Sequence, residues 1–200
     1  MLGLVDSGPA SAFEILTLGT SATNCKGVDR DKIYPVKLQE ILRGDGIDAM
    51  VINGGVDGDR VEWMFQRLPA ALTSNTKLVL FQGGSVGRDK AYEVEYIEKT
   101  LAFLRDRHIA VIYMSDPKFQ TKKEAAATAA KYGAYYFGHF AAVVPNESKY
   151  WLGDTAQFGG SGSGWGGHMN AEGCALVARS VAPLVEKALA EKAGITANRR

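Results

Sequence analysis

The feature that most constrains the fold of this chain is the alternation of short apolar segments with longer amphipathic ones. Five segments are continuously apolar, and they cover residues 13–19, 47–55, 77–84, 108–115 and 134–140. Short apolar runs without polar alternation are typical of parallel strands that are covered on both faces.

The segments between these strands have the periodicity of helices. The predicted helices cover residues 31–46, 60–72, 89–107 and 121–132, and a last helix begins near residue 171. Pro69 is predicted to break the second helix, and Pro183 to kink the last one or to remove one of its hydrogen bonds. Strands and helices in this order predict an α/β fold, in which a five-stranded parallel sheet lies between two helical layers.

Composition limits the classes of protein to consider. The chain has 200 residues, of which 46% are hydrophobic, and this is enough for the core of one domain. We place that domain at residues 13–194, with a tail at 195–200. The net charge of +1 gives no general attraction to nucleic acid, and no apolar run reaches the roughly 18 residues of a membrane span. No Cys/His spacing predicts a metal site, and no cofactor is expected.

Residues 1–12 are predicted to be a leader. The triplet Ala-Ser-Ala directly before Phe13 is similar to a signal-peptidase site, but no basic region precedes it. One interpretation is the remnant of an export signal, which favours a periplasmic or secreted protein over a cytoplasmic one. The other is a short disordered leader.

The carboxyl ends of the strands are the expected place for a ligand, because open α/β sheets bind ligands there. Ser21 follows the first strand, where it can act as a nucleophile or simply as a helix N-cap. Glycines follow the second strand, and Ser85 follows the third. His168 precedes the last helix, whose N-cap is predicted to be Asn170. A hydroxyl, free backbone amides, a second donor and an imidazole are the set that acyl transfer needs.

Four segments resemble the motifs of the SGNH (GDSL-type) hydrolases: "LTLGTSAT", "VINGGVDGD", "LVLFQGGSV" and "GGHMNAEG". The second is the closest match, because Asn53, Gly55, Gly58 and Asp59 follow the family's N-x-G-x-x-G-D pattern. The resemblance implies a flavodoxin-like three-layer α/β/α fold and the hydrolysis of small-molecule esters or thioesters. It also implies that Ser21 is the nucleophile, that the Gly58 amide is an oxyanion donor, and that His168 is the general base.

Three positions depart from the family pattern. Thr20 stands where the family has the aspartate of G-D-S, and Ser85 stands where it has an oxyanion asparagine. Trp165 stands where the resemblance calls for the acid of the triad. Asp154 is our candidate for a replacement acid, and the alternative is a centre with no acid.

Other residues carry weaker expectations. Trp165 and its aromatic neighbours can form a wall for the acyl group or hold the loop to the domain; those neighbours are Tyr150, Trp151 and Phe158. We expect His108 and His139 to be structural, and Asp116 and Lys118 to be turn and surface residues. Cys25 and Cys174 are predicted to be neighbours if Ser21 and His168 meet, and we consider a disulfide between them.

Two alternatives to a serine hydrolase remain open at this stage. One is a non-catalytic ligand-binding protein of the same fold, favoured by the three departures. The other is a flavodoxin-like FMN binder, because the loop "TSATN" is rich in hydroxyls that can contact phosphate. The FMN interpretation leaves His168 without a role.

Overall fold

A computed structural model describes residues 13–84, 89–139, 143–145, 147–152 and 168–192. Several sequence predictions lie outside these residues: the leader, the tail, Ser85, Asp154, Phe158 and Trp165.

The sheet has five strands, all parallel. They are β1 (Phe13–Gly19), β2 (Ala49–Gly55), β3 (Thr76–Gln82), β4 (Ala110–Met114) and β5 (Tyr135–Gly138). Their spatial order is β2-β1-β3-β4-β5, so the strand order reverses between β1 and β3. A crevice at the carboxyl ends of β1 and β3 is therefore the expected ligand site.

Helices cover both faces of the sheet, as predicted. The longer helices are α2 (Tyr34–Gly44), α3 (Val61–Ala71), α4 (Lys90–Asp106), α5 (Lys122–Lys131) and α6 (Ala171–Lys192). Helices α2 and α6 form one layer, and α3, α4 and α5 form the other. A four-residue helix, α1 (Ser21–Asn24), directly follows β1, and a 3-10 turn covers Ser148–Tyr150.

Successive side chains of the central strands enter opposite cores. Leu78 and Leu80 of β3 face α2 and α6, whereas Val79 and Phe81 face the other helical layer. All four side chains are fully buried. Since β3 is apolar and buried on both faces, its continuous apolar run has its physical explanation here.

Helices α3 and α6 both continue past the prolines that they contain. The expectation that Pro69 breaks its helix is wrong, because α3 continues to Ala71. Pro69 lies in the last turn, where the missing N–H removes one hydrogen bond and little helix remains to be disturbed. Helix α6 likewise continues through Pro183 to Lys192, with Pro183 on its exposed face.

Within the described part of the chain, no helix combines the length and the apolar character that crossing a bilayer requires.

Candidate active site

The side chains of Ser21 and His168 are in contact at the carboxyl ends of the strands. The distance from Ser21 Oγ to His168 Nε2 is 2.9 Å, although the two residues are 147 positions apart. The interpretation of Ser21 as an N-cap is wrong: Thr20 is the N-cap of α1, and Ser21 is the first residue of the helix. The serine hydroxyl thus bonds the imidazole and not its own helix.

The backbone around His168 is held by a segment 16 to 18 positions earlier in the chain, residues 150–152. The Leu152 N–H donates to the His168 carbonyl at 2.8 Å, and the Asn170 N–H donates to the Tyr150 carbonyl at 3.0 Å. Trp151 and Met169 form an antiparallel bridge between these two bonds. His168 is only 8% exposed. A short two-stranded pairing with residues 150–152 therefore fixes the histidine backbone.

Asn170 begins the helix that follows the histidine, as predicted. Its side-chain oxygen accepts hydrogen bonds from the amides of Glu172 and Gly173, at 3.0 and 3.1 Å. Its side-chain amide donates to the Lys149 carbonyl at 2.8 Å. One side chain thus caps α6 and joins that helix to the segment that holds His168.

Three residues of the second motif, "VINGGVDGD", each have a separate physical role. A Cβ on Gly55 would lie 2.3 Å from the backbone nitrogen of Asn24, so β2 approaches α1 as only glycine allows. Asn53 bonds the Asn24 side chain at 3.1 Å, across the same contact. Gly58 has a φ of 73°, a left-handed conformation that favours glycine. The motif therefore packs its loop against the helix that begins with Ser21.

The structure describes the third motif, "LVLFQGGSV", only as far as Gly84. Gly84 has a φ of 127°, and a Cβ there would lie 2.5 Å from Cβ of Asp116. The next residue, Ser85, lies outside the described residues, and so do Asp154 and Trp165.

Several solved structures with a similar fold are named as esterases or lipolytic proteins. The psychrotrophic esterase EstA from Pseudoalteromonas sp. aligns with a TM-score of 0.72 and 16% identity, over 88% of this chain and 98% of that one. TesA aligns at 0.70 and 19%, over 87% and 98%. AlinE4, an SGNH-hydrolase family esterase, aligns at 0.64 and 25%, over 91% and 99%. This chain has the SGNH-hydrolase fold. No protein-family model and no curated sequence matches it.

Arg67 links two of the motifs within the SGNH-hydrolase fold, and our sequence interpretation missed it. Its guanidinium donates to the Asp59 carboxylate at 2.8 Å and to the Gly54 carbonyl at 2.7 Å, with a longer bond of 3.4 Å to the Gly19 carbonyl. Asp59 is 4% exposed. The signal in the sequence was the position of Arg67 in the predicted helix, three residues after Met64 and next to Leu68 on the apolar face.

Gln82 is a second residue that the sequence interpretation missed. It ends β3, beside the carboxyl end of β1, and its side chain bonds the residue before Ser21. The signal was a polar side chain at the end of the apolar run Leu78–Phe81.

The other histidines, Asp116 and Lys118 are placed as expected. Burial lowers the pKa of His139, and the Asp116 carboxylate partly opposes this effect. Asp116 accepts from the Lys118 amide at 2.8 Å, as in an ordinary turn. His108 lies in a left-handed turn two residues before β4, and not in the strand, which the sequence predicted to begin at residue 108.

The aromatic residues near His168 have a structural role where they are described. Tyr150 and Trp151 pack against the core between the sheet and the layer formed by α2 and α6. The Trp151 indole N–H donates to the Pro145 carbonyl at 2.8 Å. For these two residues the structure favours anchoring of the loop over an acyl-binding wall.

Cys25 and Cys174 are neighbours, as the meeting of Ser21 and His168 predicts. Both are buried free thiols and form no disulfide in this structure. The hydrogen bond with Cys25 raises the pKa of the Cys174 thiol, and burial raises it further. The pair joins the end of α1 to the first turn of α6.

Proposed function

We propose that the protein is a serine hydrolase that cleaves small-molecule carboxylic esters or thioesters through Ser21 and His168. The observation that carries the proposal is the 2.9 Å distance between Ser21 Oγ and His168 Nε2, at the strand ends where this class of sheet binds ligands. A second support is that two of the similar structures, EstA and AlinE4, are named as esterases.

The proposed reaction has two halves. Ser21 Oγ attacks the substrate carbonyl carbon while His168 Nε2 takes the hydroxyl proton, and the carbonyl oxygen becomes an oxyanion. The Gly58 amide and the Ser85 hydroxyl are the proposed donors to that oxygen. His168 then gives the proton to the leaving alcohol or thiol as its bond to the carbonyl carbon breaks. The acyl group remains on Ser21 as an ester. Water activated by His168 hydrolyses this ester and restores the serine.

The orientation of His168 has two supports in this proposal. One is the backbone pairing with residues 150–152, which fixes the position of the histidine main chain. The other is the proposed acid, Asp154, whose carboxylate would hold the imidazole tautomer and stabilise the imidazolium. Asp154→Asn tests this acid. We expect kcat to fall by about 10³–10⁴-fold if Asp154 has the role, and an unchanged kcat would leave a Ser-His centre without a carboxylate.

The proposal is tested with a fluorophosphonate probe and p-nitrophenyl acyl esters. An esterase in the set of similar structures is described as inhibited by monoethylphosphonate, so a phosphorus electrophile is a suitable probe of the class. We expect covalent labelling of the peptide that contains Ser21, and loss of both labelling and turnover in Ser21→Ala. The expected loss of kcat is on the order of 10⁴-fold or more.

Ser115→Ala is the matched control. Ser115 also follows a strand of the sheet, and it is buried with its hydroxyl 3.0 Å from that of Tyr136. It should keep both labelling and turnover. An unlabelled wild-type protein with no esterase turnover would contradict the proposal and favour a non-catalytic binding protein. A yellow protein that contains FMN would favour the third interpretation.

A further inference from the structure

Gln82 lies at the centre of a buried polar network behind Ser21. Its side-chain oxygen accepts from the Thr20 N–H at 3.2 Å and from the Thr23 hydroxyl at 2.7 Å. Its side-chain amide donates to the Thr20 hydroxyl at 3.1 Å. Gln82 is 6% exposed, Thr20 is 8% exposed and Thr23 is fully buried. The partners of Gln82 therefore lie on both sides of Ser21 in sequence.

The network leaves no space for a side chain at Gly19. A Cβ on Gly19 would lie 2.1 Å from Thr23 Oγ1 and 2.7 Å from Gln82 Oε1. Both contacts are shorter than any normal separation of such atoms, so a side chain at position 19 would displace the network. The glycine before the nucleophile turn is thus needed to make room for Gln82.

Gln82 also connects two of the four motifs. It bonds the turn that contains Ser21, and it directly precedes Gly83, Gly84 and Ser85 in the chain. The Gly83 N–H is in turn bonded to the Met114 carbonyl of the neighbouring strand at 2.9 Å. A shift of the Gln82 side chain would therefore move the nucleophile relative to the third motif.

We infer that Gln82 is a positioning residue for Ser21. It fixes the peptide unit before the serine and the helical turn after it, and this directs the Ser21 hydroxyl at His168. The inference rests on the proposed function, since it assigns Gln82 a part in the reactivity of Ser21. Thr20, which departs from the aspartate of the family motif, has its hydroxyl bonded to this glutamine.

The test compares Gln82→Leu with Gln120→Leu. Gln120 is a matched control because it is 3% exposed and bonds two side chains away from Ser21, those of Tyr113 in β4 and Thr128 in α5. The readouts are the rate of fluorophosphonate labelling at Ser21, kcat and KM for an acyl ester, and the melting temperature. We expect Gln82→Leu to lower kcat and the labelling rate by about 10²-fold while KM changes by less than about threefold, because the reacting atoms lose their alignment. Gln120→Leu should lower the melting temperature and leave kcat unchanged.

Two further variants keep the test decisive. Gln82→Glu retains the acceptor oxygens for the Thr20 amide and the Thr23 hydroxyl, so it should restore kcat to within about tenfold of the wild type. Thr20→Val removes the hydroxyl but not the amide, and it should lower kcat by about tenfold even if Gln82→Leu does not fold.

The failures of the two ideas are distinguishable. Wild-type protein that is labelled at Ser21, together with a folded Gln82→Leu or Thr20→Val variant that is labelled equally fast, would overturn the positioning role alone. Wild-type protein that is neither labelled nor active would overturn the proposed function, and the positioning role with it.

Discussion

The two sides of the Ser21–His168 contact are held by different kinds of interaction. Ser21 follows β1 directly, and side chains contact its turn from two sides: the buried Gln82 on one, and the partly exposed Arg67, bonded to the Gly19 carbonyl, on the other. The backbone of the His168 segment is held by the pairing with residues 150–152 and by the cap of α6. Among the described contacts, those of the nucleophile side are therefore long-range side-chain bonds, and those that fix the histidine segment are main-chain bonds and one cap.

This difference has a consequence for substitutions. A side-chain network loses several hydrogen bonds when one residue is replaced, and buried polar partners are left unsatisfied. A main-chain pairing keeps its bonds through most substitutions, and it is disturbed only where a glycine or a cap is essential. We therefore expect the nucleophile side to be the more sensitive of the two.

The largest effect on stability is expected from Arg67→Leu. This change leaves the carboxylate of Asp59, which is 4% exposed, without its cation, and it removes the bond to the Gly54 carbonyl. Since removal of one partner of a buried pair leaves an uncompensated charge, we expect a loss of about 3 kcal/mol in the free energy of unfolding. Denaturant unfolding measures it.

Arg105→Leu is the control for this prediction. Arg105 pairs with Asp106, and these side chains are 50% and 62% exposed. Its loss should cost no more than about 0.5 kcal/mol. Equal losses in the two variants would show that the stability of the nucleophile side does not depend on pairing the buried Asp59 carboxylate with Arg67.

Gly55→Ala is expected to have the next largest effect. The added Cβ would lie 2.3 Å from the Asn24 backbone nitrogen, so α1 and Ser21 must move. We expect a loss of about 2 kcal/mol of stability and a lower rate of fluorophosphonate labelling. In the control, Gly44→Ala, the new Cβ meets nothing within 4 Å at the end of α2, and the variant should be as stable as the wild type or slightly more so.

The corresponding change on the histidine side is Gly173→Ala. Here the Cβ would lie 2.5 Å from the Tyr150 carbonyl oxygen. Alanine also favours the helix by about 1 kcal/mol, and this offsets part of the clash. We expect a net loss of about 1 kcal/mol in the free energy of unfolding, which is smaller than the loss in Gly55→Ala. Thermal unfolding of the two variants side by side measures the difference. A larger loss in Gly173→Ala would reverse the comparison.

The sequence predicted the backbone of this protein better than its interactions. Apolar strands such as 77–84 and the helix at 89–107 have local patterns, and both occur within two residues of their predicted bounds. The motifs placed Ser21 and His168 at strand ends, where parallel strands necessarily meet. The network of Gln82 was not predictable, because its partners are 59 and 62 positions away and no local pattern pairs a strand-end amide with them. The end of α3 was misjudged for a related reason, since the effect of Pro69 depends on how much helix follows it.

Asn170→Ala is expected to cost about as much stability as Gly173→Ala, and it distinguishes a loss of stability from a loss of alignment. The variant removes the cap of α6 and the bond to the Lys149 carbonyl, which should cost about 1 kcal/mol in unfolding free energy. Thr121→Ala is the matched control, because Thr121 caps α5 in a reciprocal capping box. Both variants should lose similar stability, but only Asn170→Ala should also lower kcat, since only its cap adjoins His168. If both variants keep wild-type kcat, the cap of α6 is not needed to place the histidine, and the histidine side is less sensitive than we infer.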